Sequence, residues 1–427
     1  MAKIHPFQPY RYTAKAGDAS DLVTQPYDKI PDELREQYLA ASPNNFVRLI
    51  KGVAEDSDDD ANNVYSRART QLDQWIADEI LAQDPEPGFY PYTQEFTNPD
   101  TGERQTRKGF IGLLEVEDYE ARVVHRHELT HRGPKVDRWN LTDATQAYFG
   151  QLFFLYDDPQ KQIDVLIDQA AGAAEPLMQS EEEGVVHRVW RISDAEQVAK
   201  ISSVMADKKL LVADGHHRYE TALAYSRANP DKPGAKRVMM TLVNMSSEGL
   251  LVLATHRVME GLEGFRSADL LDRAGAHFNV EKLATDAELQ QRIDSSGDEH
   301  SVIGAVFADD PAAYLFTAKP GALDELLADS TDAEKKLDVV VLHKALVGSA
   351  LGVSEEDVRE LKGISYVRGF QKAVDEVRTG GKQVAFLLRP VKVHEVADIS
   401  FSGGVMPQKS TDFYPKLLSG FTTYRFG

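Results

Sequence analysis

The sequence predicts a mixed α+β fold, on three observations. Residues 88–124 break into short apolar and alternating runs around tight turns, as antiparallel strands do. From Lys208 the chain reads KLLVAD, GHHR, YETALAYSRA, a buried strand, a break and a helix in quick succession. Residues 261–380 are acidic and mostly of helical spacing, interrupted by the apolar strand HSVIGAVFA at 300–308. With 427 residues the chain exceeds the length at which one core usually stops growing, so more than one domain is expected. Soft boundaries are expected near 120 and 260, giving an N-terminal α+β domain at 1–120, a middle segment at 121–260 and a C-terminal α/β domain at 261–427.

Taken in order, QPYDKI (25–30) leads to Pro31 and DELREQYLAA, a helix start of the kind proline favours, and SPNN stops that helix. Gln25, Pro26, Tyr27 and Asp28 read as turn formers rather than ligands. After the acidic run EDSDDD (55–60), read as a solvated loop, Val64, Ala68, Leu72, Trp75 and Ile76 recur at three and four. That spacing predicts an amphipathic helix docked on a core. GFYPYTQEF, the turn NPDTGE, KGFIGLLEVEDY and ARVVH form the predicted antiparallel meander. QLFFLYDD (151–158) and HRVWRI (187–192) are further strands, and RVMMTLVNM (237–245) and LLVLATHRV (250–258) read as a pair joined by the polar turn SSEG. The last stretch runs QVAFLL, a short amphipathic segment and GGVMPQKSTDFYPKLLSG, and no repeat or low-complexity linker divides the chain.

Composition excludes several functions. There are 68 acidic against 48 basic residues, a formal charge of -20, which repels a phosphate backbone unless a local patch overrides it; nucleic acid is not an expected partner. The absence of cysteine removes disulfides, thiolate metal sites and cysteine nucleophiles. No segment approaches the roughly 18 apolar residues of a membrane span, so a cytoplasmic protein is expected. Oligomeric state has no sequence signal.

Two stretches carry chemistry. HRHELTH (125–131) contains H-E-x-x-H, which on a helix would set His127 and His131 on one face as zinc ligands with Glu128 as general base. The strand-like ARVVHRH before it and Gly133-Pro134 after it argue against several uninterrupted helical turns, so a strand end facing a cleft is the preferred reading. ADGHHRYE (213–220) places a carboxylate, two imidazoles and a guanidinium where a buried strand gives way to a helix. A helix N-terminus offers free N–H groups and partial positive charge, and Gly215 permits close approach of a ligand. With His216, His217 and Arg218 the loop suits phosphate or another oxyanion. Asp214 fits a divalent cation, a proton to be moved, or simply a helix cap.

QPYDKI, SPNNFVRL, HRHELTHRGPKVDR, LVADGHHRYETAL, LATHRV, LDVVVLHKAL and MPQKSTDFYPKLLSG together resemble the family catalogued as domain of unknown function 1015, over almost the whole chain. That family is similar to the ParB and sulfiredoxin superfamily of nucleotide-binding folds, which implies a core of that type in 121–260 with additional α/β segments on either side. Within the superfamily, free-serine kinases carry a PHE-type segment, a DGHHR loop and a THR segment; here HRHE at 125–128, DGHHR at 214–218 and THR at 255–257 follow in that order, with Arg126 standing in place of the proline. The resemblance implies an ATP-dependent, magnesium-dependent kinase that phosphorylates the hydroxyl of free L-serine, with ADP an alternative donor. Glu128 would take the hydroxyl proton, while Gly215, His216, His217 and Arg218 would hold the phosphates. Asp214 would be catalytic and a magnesium ligand, and Thr255, His256 and Arg257 would bind the amino acid.

Lys135 and Arg138, beside Asp137, are placed to reach phosphates or equally to form a solvated turn. Lys409, Ser410 and Thr411 echo the end of a phosphate loop without its glycines and stand as a closing element. The alternative functions are a nucleotide-binding regulatory protein using the same loop as a sensor, and a zinc hydrolase.

Overall fold

The computed structural model describes residues 2–130, 132–360 and 362–426, so His131 of the H-E-x-x-H match lies outside the described residues. The chain forms two compact units: residues 1–250 with 415–427, and residues 251–414.

The first unit is built on a nine-stranded mixed sheet. Its strands are β1 (Ile4–His5), β2 (Tyr90–Thr97), β3 (Arg104–Glu115), β4 (Val124–His125), β5 (Leu152–Tyr156), β6 (Met178–Glu182), β7 (Val185–Val189), β8 (Leu210–Asp214) and β9 (Arg237–Asn244). They run β4-β8-β5-β9-β3-β2-β7-β6, with β1 added on β3. Neighbours are antiparallel except β4 beside β8 and β5 beside β9. The sheet therefore crosses position 120, where the sequence suggested a boundary, and the chain leaves the unit at 250/251 rather than 260/261.

Helices follow the expected signals. α1 (Asp32–Ala41) begins after Pro31 and stops at Ser42. α2 (Val64–Ala77) is capped by a reciprocal box between Asn63 and Ser66 and buries Ala68, Leu72 and Trp75. These two helices share a core with Leu141 of α3 (Arg132–Thr145) and with Phe149. α4 (Gln162–Ala173), α5 (Ala195–Met205) and α6 (His216–Ala228) contribute Ile163, Ile167, Ile201, Met205, Tyr219 and Ala222 to the larger core against Phe110, Phe154, Val212 and Met240 of the sheet.

Further expectations need correction. ARVVH does not extend the meander: β2 and β3 pair as predicted, whereas β4 crosses to the far edge and pairs with β8. RVMMTLVNM and LLVLATHRV are not a hairpin, because the chain changes unit within SSEGLL and the second run divides into two short strands of different sheets. Gly133 and Pro134 do not end a helix but fall in the first turn of α3, where proline is tolerated because the early N–H groups have no partner to lose.

The second unit holds a six-stranded sheet that is antiparallel throughout. Its strands are β10 (Thr255–Met259), β11 (Phe278–Leu283), β12 (Val302–Phe307), β13 (Ala313–Ala318), β14 (Ile364–Arg368) and β15 (Val384–Leu387), in the order β11-β13-β12-β15-β10-β14. The helices α7 (Asp286–Asp294) and α8 (Phe370–Arg378) bring Leu289, Ile293, Val374 and Val377 to a core with Val258, Val306 and Leu387. The reading of 261–380 as mainly helical missed β11, β13 and β14; in β11 the exposed polar and charged positions of FNVEKL dilute the apolar signal, whereas β13, AYLFTA, is a short, almost wholly buried apolar run, which periodicity alone does not tell from a buried helical segment. Among the described residues, no helix is long and apolar enough to cross a membrane.

Candidate functional site

β8 is a fully apolar run, LLVA, ending at Asp214 on the sheet's interior, so its side chains are driven inward from both faces. Its pairing with β5 is irregular between Val212 and Asp214, a local defect of the kind that re-aims a side chain at a strand end. Gly215 then turns the chain at φ +97° and α6 begins at once. A Cβ here would sit 2.7 Å from Leu152 Cδ2 and 3.0 Å from the Arg218 guanidinium, so glycine is required both by conformation and by space.

β4 lies parallel to β8, with Val124 opposite Leu210 and His125 opposite Leu211. The two strands consequently release HRHE and DGHHR at the same edge of the sheet, the edge where ligands of parallel strands bind. His127 and His216 meet there, with ring centroids 4.6 Å apart and planes at 82°. Both are buried. Burial pushes the His127 pKa down to about 4, partly offset by a hydrogen bond to the Val212 backbone, and pushes His216 well below the usual histidine range, with His127 adding to the effect. His216 is therefore neutral at pH 7, and its Nε2 is buried with no hydrogen-bond partner among the described residues.

Asp214 keeps about a third of its side-chain surface, 33%, and forms a 3.5 Å ion pair with Arg218 Nη2. Burial pushes its carboxyl up, but the surrounding charges reverse this, Lys416 first, then Arg218, His216 and Lys29, and its pKa is lowered to about 2. Since His216 is itself neutral, the effective cations are Lys416, Arg218 and Lys29. A chain of strongly negative net charge thus gathers three cations round one carboxylate, a local basic centre fit for an anionic ligand. Arg218 Nη1 also donates to the Gln151 carbonyl at 2.7 Å, which aims the guanidinium across Gly215.

HRHELTH is not a zincin helix: residues 126–130 have no helical structure and α3 starts only at Arg132. Glu128 is half-buried just beyond His127. Its loop is anchored by Glu220 of α6, which pairs with Arg126 Nη1 at 3.1 Å and Lys135 Nζ at 2.6 Å and accepts from Thr130 Oγ1 at 2.5 Å. Arg126 also lies over the Tyr119 ring at 4.9 Å, which explains why arginine stands at that position. Lys135, expected at phosphates, is engaged by Glu220. Arg138 stacks on Tyr27 at 4.0 Å, bonds Asp137, and lines with Tyr27 and Arg218 a cavity of about 50 Å³. Ligand pockets usually span about 300–1,000 Å³, so this cavity admits only a few waters. His217 is half-buried in the first turn of α6.

The other expected residues lie in the second unit, where they meet one another. Arg257 is 1% exposed and donates to the carbonyls of Thr255, Gln408 (3.3 Å) and Lys409 (3.2 Å). His256 is buried, accepts from the Leu388 amide at 3.1 Å, and is pushed down to about 4 by burial and by Arg257. Lys409 adopts a left-handed φ of +56°, and Ser410 Oγ donates to the Pro407 carbonyl at 2.5 Å. THR and KST thus brace one another, and Thr255 and Ser410 line a small polar cavity with Arg257. Thr411 precedes the short strand Asp412–Tyr414.

Among the described residues, no group of three or more histidine or carboxylate side chains is set to hold a metal. Asp214 alone, ionised and partly exposed, fits magnesium of the kind held by one or two carboxylates together with substrate phosphates.

Sequence reasoning missed Lys29, Lys416 and Glu220. Each stood inside a quoted motif, QPYDKI, DFYPKLLSG and DGHHRYE, but lies far along the chain from its partners or was read as helix surface.

The strand, loop and helix from β8 to α6 thus form a basic, partly buried edge around the Asp214 carboxylate. The chain belongs to the family described as Protein of unknown function (DUF1015), whose model matches residues 4–340. No curated protein matches it. Among solved structures, similar chains include SbnI with C-terminal truncation from Staphylococcus aureus, at 12% identity and TM-score 0.35, covering 72% of this chain and 85% of that one. A free serine kinase in complex with AMP is 15% identical with TM-score 0.33, covering 69% and 86%. A conserved hypothetical protein from Pyrococcus furiosus is 14% identical with TM-score 0.33, covering 69% and 90%. Likenesses this distant do not assign an activity.

Proposed function

We propose that the protein is a phosphotransferase that moves the terminal phosphoryl group of an adenine nucleotide to the hydroxyl of free L-serine. The observation that supports this is the parallel pairing of β4 with β8, which delivers Glu128 and the DGHHR loop to one edge. Phosphoryl transfer asks a protein for alignment and charge stabilisation rather than covalent chemistry. The serine hydroxyl oxygen bonds to the terminal phosphorus, the bond from that phosphorus to the bridging oxygen breaks, and ADP leaves when ATP is the donor. Glu128 takes the hydroxyl proton. Arg218 and the first N–H groups of α6 face the charge that builds on the phosphoryl oxygens, and neutral His216 supplies a ring nitrogen for a hydrogen bond without adding charge.

Bound with the nucleotide, magnesium would be held by Asp214 and would neutralise phosphate charge. Lys135 and Arg138 act at one remove in this reading, through Glu220 and Tyr27. Thr255, His256 and Arg257, with Lys409, Ser410 and Thr411, are given no step in this reading: Arg257 and His256 are bonded within their own unit.

The test is a product assay with purified protein, magnesium, a panel of nucleotides and a panel of small hydroxylated amino acids, read by mass spectrometry. O-phospho-L-serine formed at the expense of a nucleotide supports the proposal; nucleotide binding without product favours a regulatory protein.

A further inference from the structure

The segment 415–419 re-enters the first unit and is fastened from two directions. Beneath it, Arg107 of β3 is 1% exposed; its Nη2 donates to the Pro415 carbonyl, its Nε donates to Gln94 Oε1 at 3.0 Å, and its guanidinium lies 4.7 Å over the Phe153 ring. Gln94 of β2 passes the linkage on, its Nε2 donating to the Lys416 carbonyl at 2.8 Å. The Leu418 amide donates to Tyr92 Oη at 3.3 Å, and that hydroxyl is 2.7 Å from His187 Nδ1. Towards the site, Gln151 Nε2 donates to the Leu418 carbonyl at 3.3 Å while the Gln151 carbonyl accepts from Arg218. Ser419 exchanges both backbone hydrogen bonds with Thr24, at 3.0 and 2.8 Å, five residues before Lys29. It also lines the same cavity as Arg218.

Burying a guanidinium is expensive, and apolar side chains could secure a strap without that cost. Burial pushes the Arg107 pKa down to about 9. What the arrangement achieves is placement: the two carbonyls it grips flank Lys416, the cation with the largest influence on Asp214. The backbone of 415 and 416 is fixed by these two bonds, and Ser419, three residues on, lines the same cavity as Arg218, so the segment that carries Lys416 is held beside that cavity.

We propose that Lys416 is a phosphate-binding residue of the Asp214 site, and that Arg107 and Gln94 are positioning residues that hold its backbone in place. The inference rests on the phosphotransferase reading only for the identity of the ligand; the binding of phosphate groups itself can be tested without turnover. A lysine ammonium acts as a compact point charge, well suited to a phosphate that already shares Arg218.

The experiment is calorimetric titration of the full chain with magnesium-ADP and, separately, with pyrophosphate, beside a melting curve for every variant. Lys416→Gln is expected to weaken both ligands about tenfold or more with little change in melting temperature, and Lys416→Arg to keep part of the affinity. Arg107→Lys keeps the charge but loses the planar fork, so it should weaken both ligands in the wild-type background and add nothing further in Lys416→Gln. Gln94→Met tests the same point should Arg107→Lys fail to fold. Pyrophosphate binding that depends on Lys416, with no ADP binding, would sustain the inference while removing the nucleotide reading. Unchanged affinity in Lys416→Gln, no binding of either ligand by the wild type, or a loss from Arg107→Lys or Gln94→Met that adds in full to that of Lys416→Gln would overturn it.

Discussion

The imidazoles of His127 and His216 stand edge to face at 4.6 Å, so the two sequence segments richest in functional groups are locked together through neutral rings in the interior. Neither ring can be protonated there without placing a charge in a desolvated seam, and for His216 also beside His217 and Arg126; the Asp214 carboxylate opposes this only in part. The pair therefore ties the shape of the site to pH.

As the pH falls, the unfolded chain takes up protons near 6.5 that the native histidines refuse, His127 titrating only at about 4. Native stability is thus complete above about pH 7 and is lost as the pH drops from 6.5 towards 4, at up to about 1.4 kcal/mol per pH unit for each such histidine. Denaturant midpoints measured from pH 8 to 4.5 should show this decline, and His127→Gln should make it shallower by the share of one histidine, the other buried histidines keeping the rest. A midpoint that is constant over this range would show the histidines to be solvated.

Glu220→Gln should release the 126–130 loop, because it removes the carboxylate shared by Arg126, Thr130 and Lys135. The ion pairs are partly exposed, so the loss of stability is expected to be only about 1–2 kcal/mol. Amide exchange at 126–130 should rise and turnover fall about tenfold while nucleotide affinity holds. Unaltered exchange would mean that the loop is fixed by other contacts.

Gly215→Ala places a Cβ against Leu152 and Arg218 at φ +97°. A destabilisation of about 1–3 kcal/mol and loss of nucleotide affinity are expected, since the strain falls on the phosphate loop itself. A variant as stable and as tight as wild type would show that the turn can relax.

Arg257→Ala separates a structural from a substrate-binding THR segment. Truncation leaves the carbonyls of Thr255, Gln408 and Lys409 short of a donor, each costing about 1–3 kcal/mol, so melting temperature should fall sharply. A stable protein with a raised KM for serine would instead place Arg257 at the amino acid.

Local chemistry made the sequence legible where it acted over a few residues. The strand, turn and helix at 210–228 follow from an apolar run, a glycine and helical spacing, and the structure places them so. The capped helix from Val64 and the hairpin of β2 and β3 were equally readable. What stayed hidden depends on distance along the chain. Nothing in ARVVH says that it pairs with β8 rather than β3, and nothing in DFYPKLLSG says that the Lys416 charge acts on Asp214, more than two hundred residues earlier. The SSEG turn misled for the same reason, since a hairpin and a passage between units have the same polar composition.

The most direct test of the account is turnover by Glu128→Gln beside wild type, with magnesium, ATP and L-serine, and nucleotide affinity measured on the same samples. The expected result is O-phospho-L-serine from the wild type, abolished by EDTA and restored by magnesium, and a loss of about 100-fold or more in the variant with nucleotide affinity and melting temperature nearly unchanged. Equal turnover by the two proteins would contradict the account by removing Glu128 from the chemistry, and absence of any phosphorylated product from the wild type would contradict it altogether.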